Sequence, residues 1–194
     1  MTHPTAPSPQ PLGHEHLAAL TDARKRSAKV RRAAGVATLS GWTMAIFAAV
    51  TLLGALFGSL ISLVTGVALG VVAFNEIRGA TMLRRFEPRA ARLLGFNQIG
   101  LAAIIVGYAA WSLVSQLRAD PLESMGGSSG DAEVDAMISG LTSTVTYGLY
   151  GGMAAIGVIV PGLTAWYYFS RARVVRTVVS QTPEWVVSAL RAAA

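Results

Sequence analysis

Three stretches of this chain, residues 35–74, 94–117 and 148–169, contain no Asp, Glu, Lys, Arg or His. A segment of that kind can enter hydrocarbon without burying a full charge, and about 20 apolar helical residues cross a bilayer core of roughly 30 Å. Residues 35–74 are too many for one crossing and supply two. The break between them is expected at 54–59, where Gly54, Gly58 and Ser59 permit a tight turn. The expected fold is an all-α integral membrane protein. It has four transmembrane helices, about 35–54, 58–74, 94–117 and 148–169, arranged as two helical hairpins with short amphipathic interfacial helices.

The charges between these stretches set an orientation. Fifteen of the sixteen Lys and Arg residues fall in three segments, before the first span, between the second and third, and after the fourth. The remaining region, 118–147, carries only Arg118 against five acids. Basic residues concentrate on the cytoplasmic side of membrane proteins, so both termini are expected inside and the acidic loop outside. The net charge of +6 follows this topology and gives no reason to expect nucleic acid as a partner. Aromatic placement agrees: Trp42, Trp166, Tyr167 and Tyr168 fall at inner ends, and Trp111, Tyr147 and Tyr150 at outer ends.

Composition supports the same class. The chain is 53% apolar and only 13% charged, too little charge to clothe a soluble globule of 194 residues. The absence of Cys excludes disulfides, thiolate metal ligands and a Cys nucleophile. Arg outnumbers Lys fourteen to two, and Ala and Gly are abundant, a bias common in GC-rich bacterial genomes. A multi-pass protein of a bacterial cytoplasmic membrane is the expectation.

The flanking regions divide by pattern. Pro4, Pro7, Pro9 and Pro11 mark residues 1–14 as a disordered, Pro-rich terminus. Residues 15–34 read as a basic helix on the membrane surface or leading into the first span, since a secretory signal would carry its basic region at the very start. Glu87 and Pro88 suggest a helix start before the third span, and 126–130 a flexible Gly/Ser break. Residues 131–147 are periodic but polar, and are expected as an outer interfacial helix. Pro161 predicts a kink in the fourth span. In the basic tail, 170–194, Thr182 is expected to cap a short helix with Pro183 at its first position, and Trp185, Val186, Ala189 and Leu190 as its apolar stripe.

Two constellations stand out as candidate sites. Small residues at every fourth position let membrane helices approach closely, and Ser62, Gly66 and Gly70 form such a row on the second span. Ala37, Gly41, Ala45 and Ala49 form another on the first, and Gly148, Gly152 and Gly157 resemble it on the fourth. These rows serve either the internal packing of the bundle or the docking of another chain. The second constellation is a polar group at one depth, with Asn75 and Glu76 closing the second span and Asn97 and Gln98 opening the third. Convergent, these side chains could hold an ion or a lipid head group. The plainer reading makes them boundary residues solvated by head groups.

Other features point less far. The basic face can attract anionic lipid, although orientation alone demands such residues. His14, Glu15 and His16, with His3, lack the spacing and support of a zinc site, and no metal or cofactor is expected. No base lies within the charge-free stretches to activate their Ser and Thr residues, so no catalytic residue is expected. The function expected is that of a non-catalytic polytopic protein acting through helix association, as an accessory or assembly subunit. Its contacts would be the lipid bilayer and a membrane-protein partner or further copies of itself. The alternative is a small self-assembling channel or transporter without intramembrane charges.

Overall fold

The computed structural model describes residues 13–118 and 130–193. Among them it is all-helical, with no strand. The helices are α1 (His14–Arg26), α2 (Ala28–Ala55), α3 (Leu60–Arg84), α4 (Ala90–Arg118), α5 (Ala132–Gln181) and α6 (Glu184–Ala192). Four of these, α2 to α5, are long and apolar enough to cross a membrane. Their outward faces carry large apolar side chains exposed to the surroundings, among them Leu39, Ile46, Val50, Val158, Ile159 and Leu163. Apolar exposure on that scale is incompatible with water and natural in lipid.

The connection between α2 and α3 falls where the sequence places it. Gly58, at φ +82°, turns the chain, and Ser59 caps α3 by accepting a hydrogen bond from the Ser62 amide at 3.2 Å. The next turn is less expected. α3 runs on past Phe74 to Arg84 and ends with Phe86 in the left-handed region, φ +56°. The Phe86 amide donates to Leu83 O and the Glu87 amide to Met82 O, each at 3.0 Å, the paired closure usually built on glycine. A left-handed non-glycine residue costs about 1–2 kcal/mol. Here the Phe86 ring is buried in the core, which offsets that strain.

Neighbouring long helices run antiparallel. Gly41 lies against Ile77 and Gly66 against Leu52 between α2 and α3; Gly79 lies against Leu94 between α3 and α4; Gly95 lies against Phe169 between α4 and α5. α5 is a single helix of 50 residues, about 75 Å at 1.5 Å per residue. It joins the segment expected as an interfacial helix, the fourth span and part of the basic tail. Asp131 caps its start, accepting from the Glu133 amide at 2.8 Å, and the helix passes through Pro161. The 126–130 break lies almost wholly outside the described residues.

At the ends of the chain, α1 and α6 meet on the bundle. α1 stops at Ser27, whose amide donates to Ala23 O, and α2 begins directly after it. In α6 the cap is Pro183 rather than Thr182. Pro183 sits at φ −54°, ψ 142°, an extended conformation, so the helix opens one residue later than expected. That leaves the Thr182 hydroxyl buried without a hydrogen-bond partner among the described residues. Val186 and Val187 face inward and Leu190 packs on the core, while Trp185 stacks edge-on against His16 at 5.2 Å. The buried stripe of α6 therefore differs from the one its sequence suggests, because the helix docks on protein.

Candidate functional site

The small-residue rows divide sharply by what they touch. A Cβ on Gly41 would lie 2.7 Å from Ile77 Cγ1, and one on Gly66 2.7 Å from Leu52 Cγ, so both glycines exist to let α2 and α3 meet. Gly157 is similarly closed by Ile105. Gly70, Gly148 and Gly152 have nothing within 4 Å of such a Cβ. Ser62 donates to Ser59 Oγ at 2.9 Å beside Gly54. Burial on α2 and α3 follows a spacing of seven, Ala34, Gly41 and Ala48 on one helix and Gly66, Ala73 and Ala80 on the other. That is the interval of a coiled-coil seam, and the rows at intervals of four share only Gly41 and Gly66 with it. Gly79 and Gly95, which make equally close approaches, lie in segments that the charge pattern marks as loop and span boundary.

The buried core gathers at the basic end. It comprises Val30 to Ala37 of α2, Ala80 to Phe86 at the end of α3, Ala90 to Leu94 of α4 and Tyr168 to Val178 of α5. Toward the other end the α2–α3 pair and the α4–α5 pair separate. They enclose a cleft of about 1320 Å³, to which all four long helices contribute. Its mouth has Ser59, Ser62, Ser112 and Gln116, its middle wall Phe47, Leu69, Ile105 and Ile156, and its floor Ser40, Gln98 and Thr164. Gly148 and Gly152 also line it, which is why no side chain opposes them.

Three of the four polar boundary residues converge below that floor. Glu76 is fully buried. Its Oε1 accepts from Gln98 Nε2 at 2.6 Å and from Asn97 Nδ2 at 3.1 Å, and its Oε2 accepts from the Tyr168 hydroxyl at 3.3 Å. Asn97 Nδ2 also donates to Val72 O at 2.9 Å. These contacts tie α3, α4 and α5 together around one carboxyl group. No Lys, Arg or His nitrogen among the described residues lies within 4 Å of it. Asn75 stands apart, because one residue is about 100° of helix rotation. It lines a smaller groove of about 540 Å³ on the flank of α3 and α4.

Depth along the spans marks three members of this cluster in the sequence, but not Tyr168, whose place at the end of the fourth span also suits the aromatic belt. Tyr168 is in fact fully buried, 92 residues along the chain from its partner. His14, Glu15 and His16 form the first turn of α1, where His16 Nδ1 accepts from the Gly13 amide. No group of three or more metal-ligating side chains occurs among the described residues. Comparison of the chain with protein-family models, with curated proteins and with solved structures finds no match.

Proposed function

We propose that the four long helices form two hairpins, α2–α3 and α4–α5, in a bacterial cytoplasmic membrane with both termini inside. The distribution of Lys and Arg supports that orientation, since fifteen of the sixteen basic residues lie in the three segments at the end of the bundle that holds the core and Arg118 lies at the opposite end. We propose further that the protein is a carrier for an amphiphilic molecule, which it holds between the hairpins. The observation behind this reading is the cleft itself. At about 1320 Å³ it exceeds the roughly 300–1000 Å³ typical of small-molecule sites, and its polar ends and apolar middle suit a molecule with a head and a tail. Closure at the basic end and opening at the other is one of the two states that a carrier alternates between.

A second reading, an accessory or assembly subunit, draws on Gly148 and Gly152. Small residues four apart on an unopposed helix face accept a neighbouring helix, so a partner's span is the competing occupant. Extraction in mild detergent followed by native mass spectrometry separates the two. A monomer retaining an amphiphile, lost in Gly152→Leu, is the expected result. A protein retained in stoichiometric amount in its place would make the chain a subunit and end the carrier reading.

A further inference from the structure

The floor of the cleft has a property that a purely apolar or lipid-filled cavity does not need. Gln98 lines the cleft and, through the same side chain, donates to Glu76 at 2.6 Å. Glu76 itself does not line the cleft. One amide therefore separates an open, mostly apolar space from a buried carboxyl group whose protein partners are all neutral donors. An acid placed within a membrane bundle is costly to keep and marks a functional site or a pairing partner. Among the described residues no cation supplies that pairing.

We infer that the cleft selects a lipophilic cation, a molecule with an ammonium-type head and an apolar tail, with Glu76 as its counter-charge and Gln98 as the partition that swings aside to admit the head. This inference rests on the proposed cleft-binding function and assigns its ligand class. The head takes the position of the Gln98 amide, donating to Glu76 Oε1 in its place. The hydroxyls of Ser40 and Thr164, also at the floor, stand beside it. The tail runs along the apolar wall toward Trp111 near the mouth. Gln98 and Trp111 are 13 residues apart on α4, about 20 Å along the helix axis, so a long alkyl chain spans the cleft. Asn97 and Tyr168 keep their hydrogen bonds to the carboxyl group and act as positioning residues.

The test uses the full chain in phosphatidylcholine nanodiscs. Three probes share one tail and differ in charge: 16-bromohexadecylammonium, 16-bromohexadecanol and 16-bromohexadecanoate. Bromine at the tail end quenches Trp111, and the Trp111→Phe variant supplies the background from the other tryptophans. The expected result is quenching by the ammonium probe at a concentration about tenfold below that of the alcohol and the carboxylate. In Glu76→Gln, which keeps an acceptor oxygen for the neighbouring donors, the preference disappears. In Gln98→Ala, which removes the partition, the ammonium probe binds more tightly while the alcohol is unchanged, an outcome that a merely structural Gln98 does not produce. Equal quenching by all three probes in the native chain, or an ammonium preference that survives Glu76→Gln, overturns the inference and leaves the cleft reading in place. Quenching that Gly152→Leu leaves unaltered for every probe overturns both, since that substitution adds a side chain to the cleft lining at a position where a Cβ meets nothing within 4 Å.

Discussion

The two ends of this bundle are built from similar residues and packed in opposite ways. At the basic end, Ala, Val and Leu side chains from four helices close on one another, with Val30, Ala33, Leu83, Leu94 and Val175 fully buried. At the other end the same helices hold a cleft whose walls carry Ser and Thr among Leu and Ile. The difference does not come from hydrophobicity, because lipid solvates apolar walls as well as protein does. It comes from side-chain size and from tethers. Gly79 and Gly95 admit Leu94 and Phe169, and the Glu76 network ties three helices together at that level. Beyond it, α2 stays close to α3, while between the two pairs nothing comparable draws the helices in.

The strongest challenge to that contrast is a pair of identical truncations. Leu94→Ala removes a fully buried side chain at the basic end and should cost about 3 kcal/mol, because the cavity it leaves is enclosed. Leu69→Ala, in the cleft wall, should cost less than about 0.5 kcal/mol. Unfolding in mixed micelles of dodecyl maltoside and SDS, followed by circular dichroism, measures both; similar losses would erase the distinction. Glycine replacement sharpens it further. A Cβ on Gly95 meets Phe169 Cε1 at 2.5 Å, so Gly95→Val should destabilise by about 2 kcal/mol through overpacking. Gly70→Val should leave the unfolding midpoint within error, since nothing lies within 4 Å.

Smaller effects probe the tether and the turn. Glu76→Ala removes the acceptor shared by Asn97, Gln98 and Tyr168, leaving Asn97 only its bond to Val72 O. Hydrogen bonds between membrane helices average about 0.6 kcal/mol each, so a loss of about 1–2 kcal/mol is expected in the same assay. Glu76→Gln should recover most of it. Gly58→Ala places a side chain at φ +82° and should cost about 1 kcal/mol, with a lower thermal midpoint and an unchanged helix content.

Much of this architecture is legible in the sequence, and the limits have physical causes. Charge-free runs locate the spans because burying a charge in hydrocarbon is costly, and Gly58 marks the first turn because few other residues adopt its backbone angles. Helix ends are less legible, since backbone hydrogen bonding does not stop at the edge of the hydrocarbon. α3 therefore continues through Glu76 to Arg84, and α5 absorbs the polar segment before it. That continuation carries Glu76 from an apparent boundary into the bundle. Depth alone brings Asn97, Gln98 and Glu76 to one level, but helix rotation decides that Asn75 turns away and Tyr168 turns in. The cleft leaves no mark in the sequence, because its walls use the residues of any span and only the relation between helix pairs creates the space.

The α2–α3 and α4–α5 pairs are closed together at the basic end and apart at the other. The chain contains no Cys, so paired spin labels can be placed at will. Electron–electron resonance distances in nanodiscs should be measured for Ser59→Cys with Gln116→Cys across the mouth, and for Arg32→Cys with Arg173→Cys at the basic end. A longer and broader distribution is expected at the mouth, narrowing when a cleft-filling amphiphile is added, together with a narrow basic-end distribution that does not respond. A mouth pair as short and narrow as the basic-end pair, unmoved by amphiphile, would contradict it.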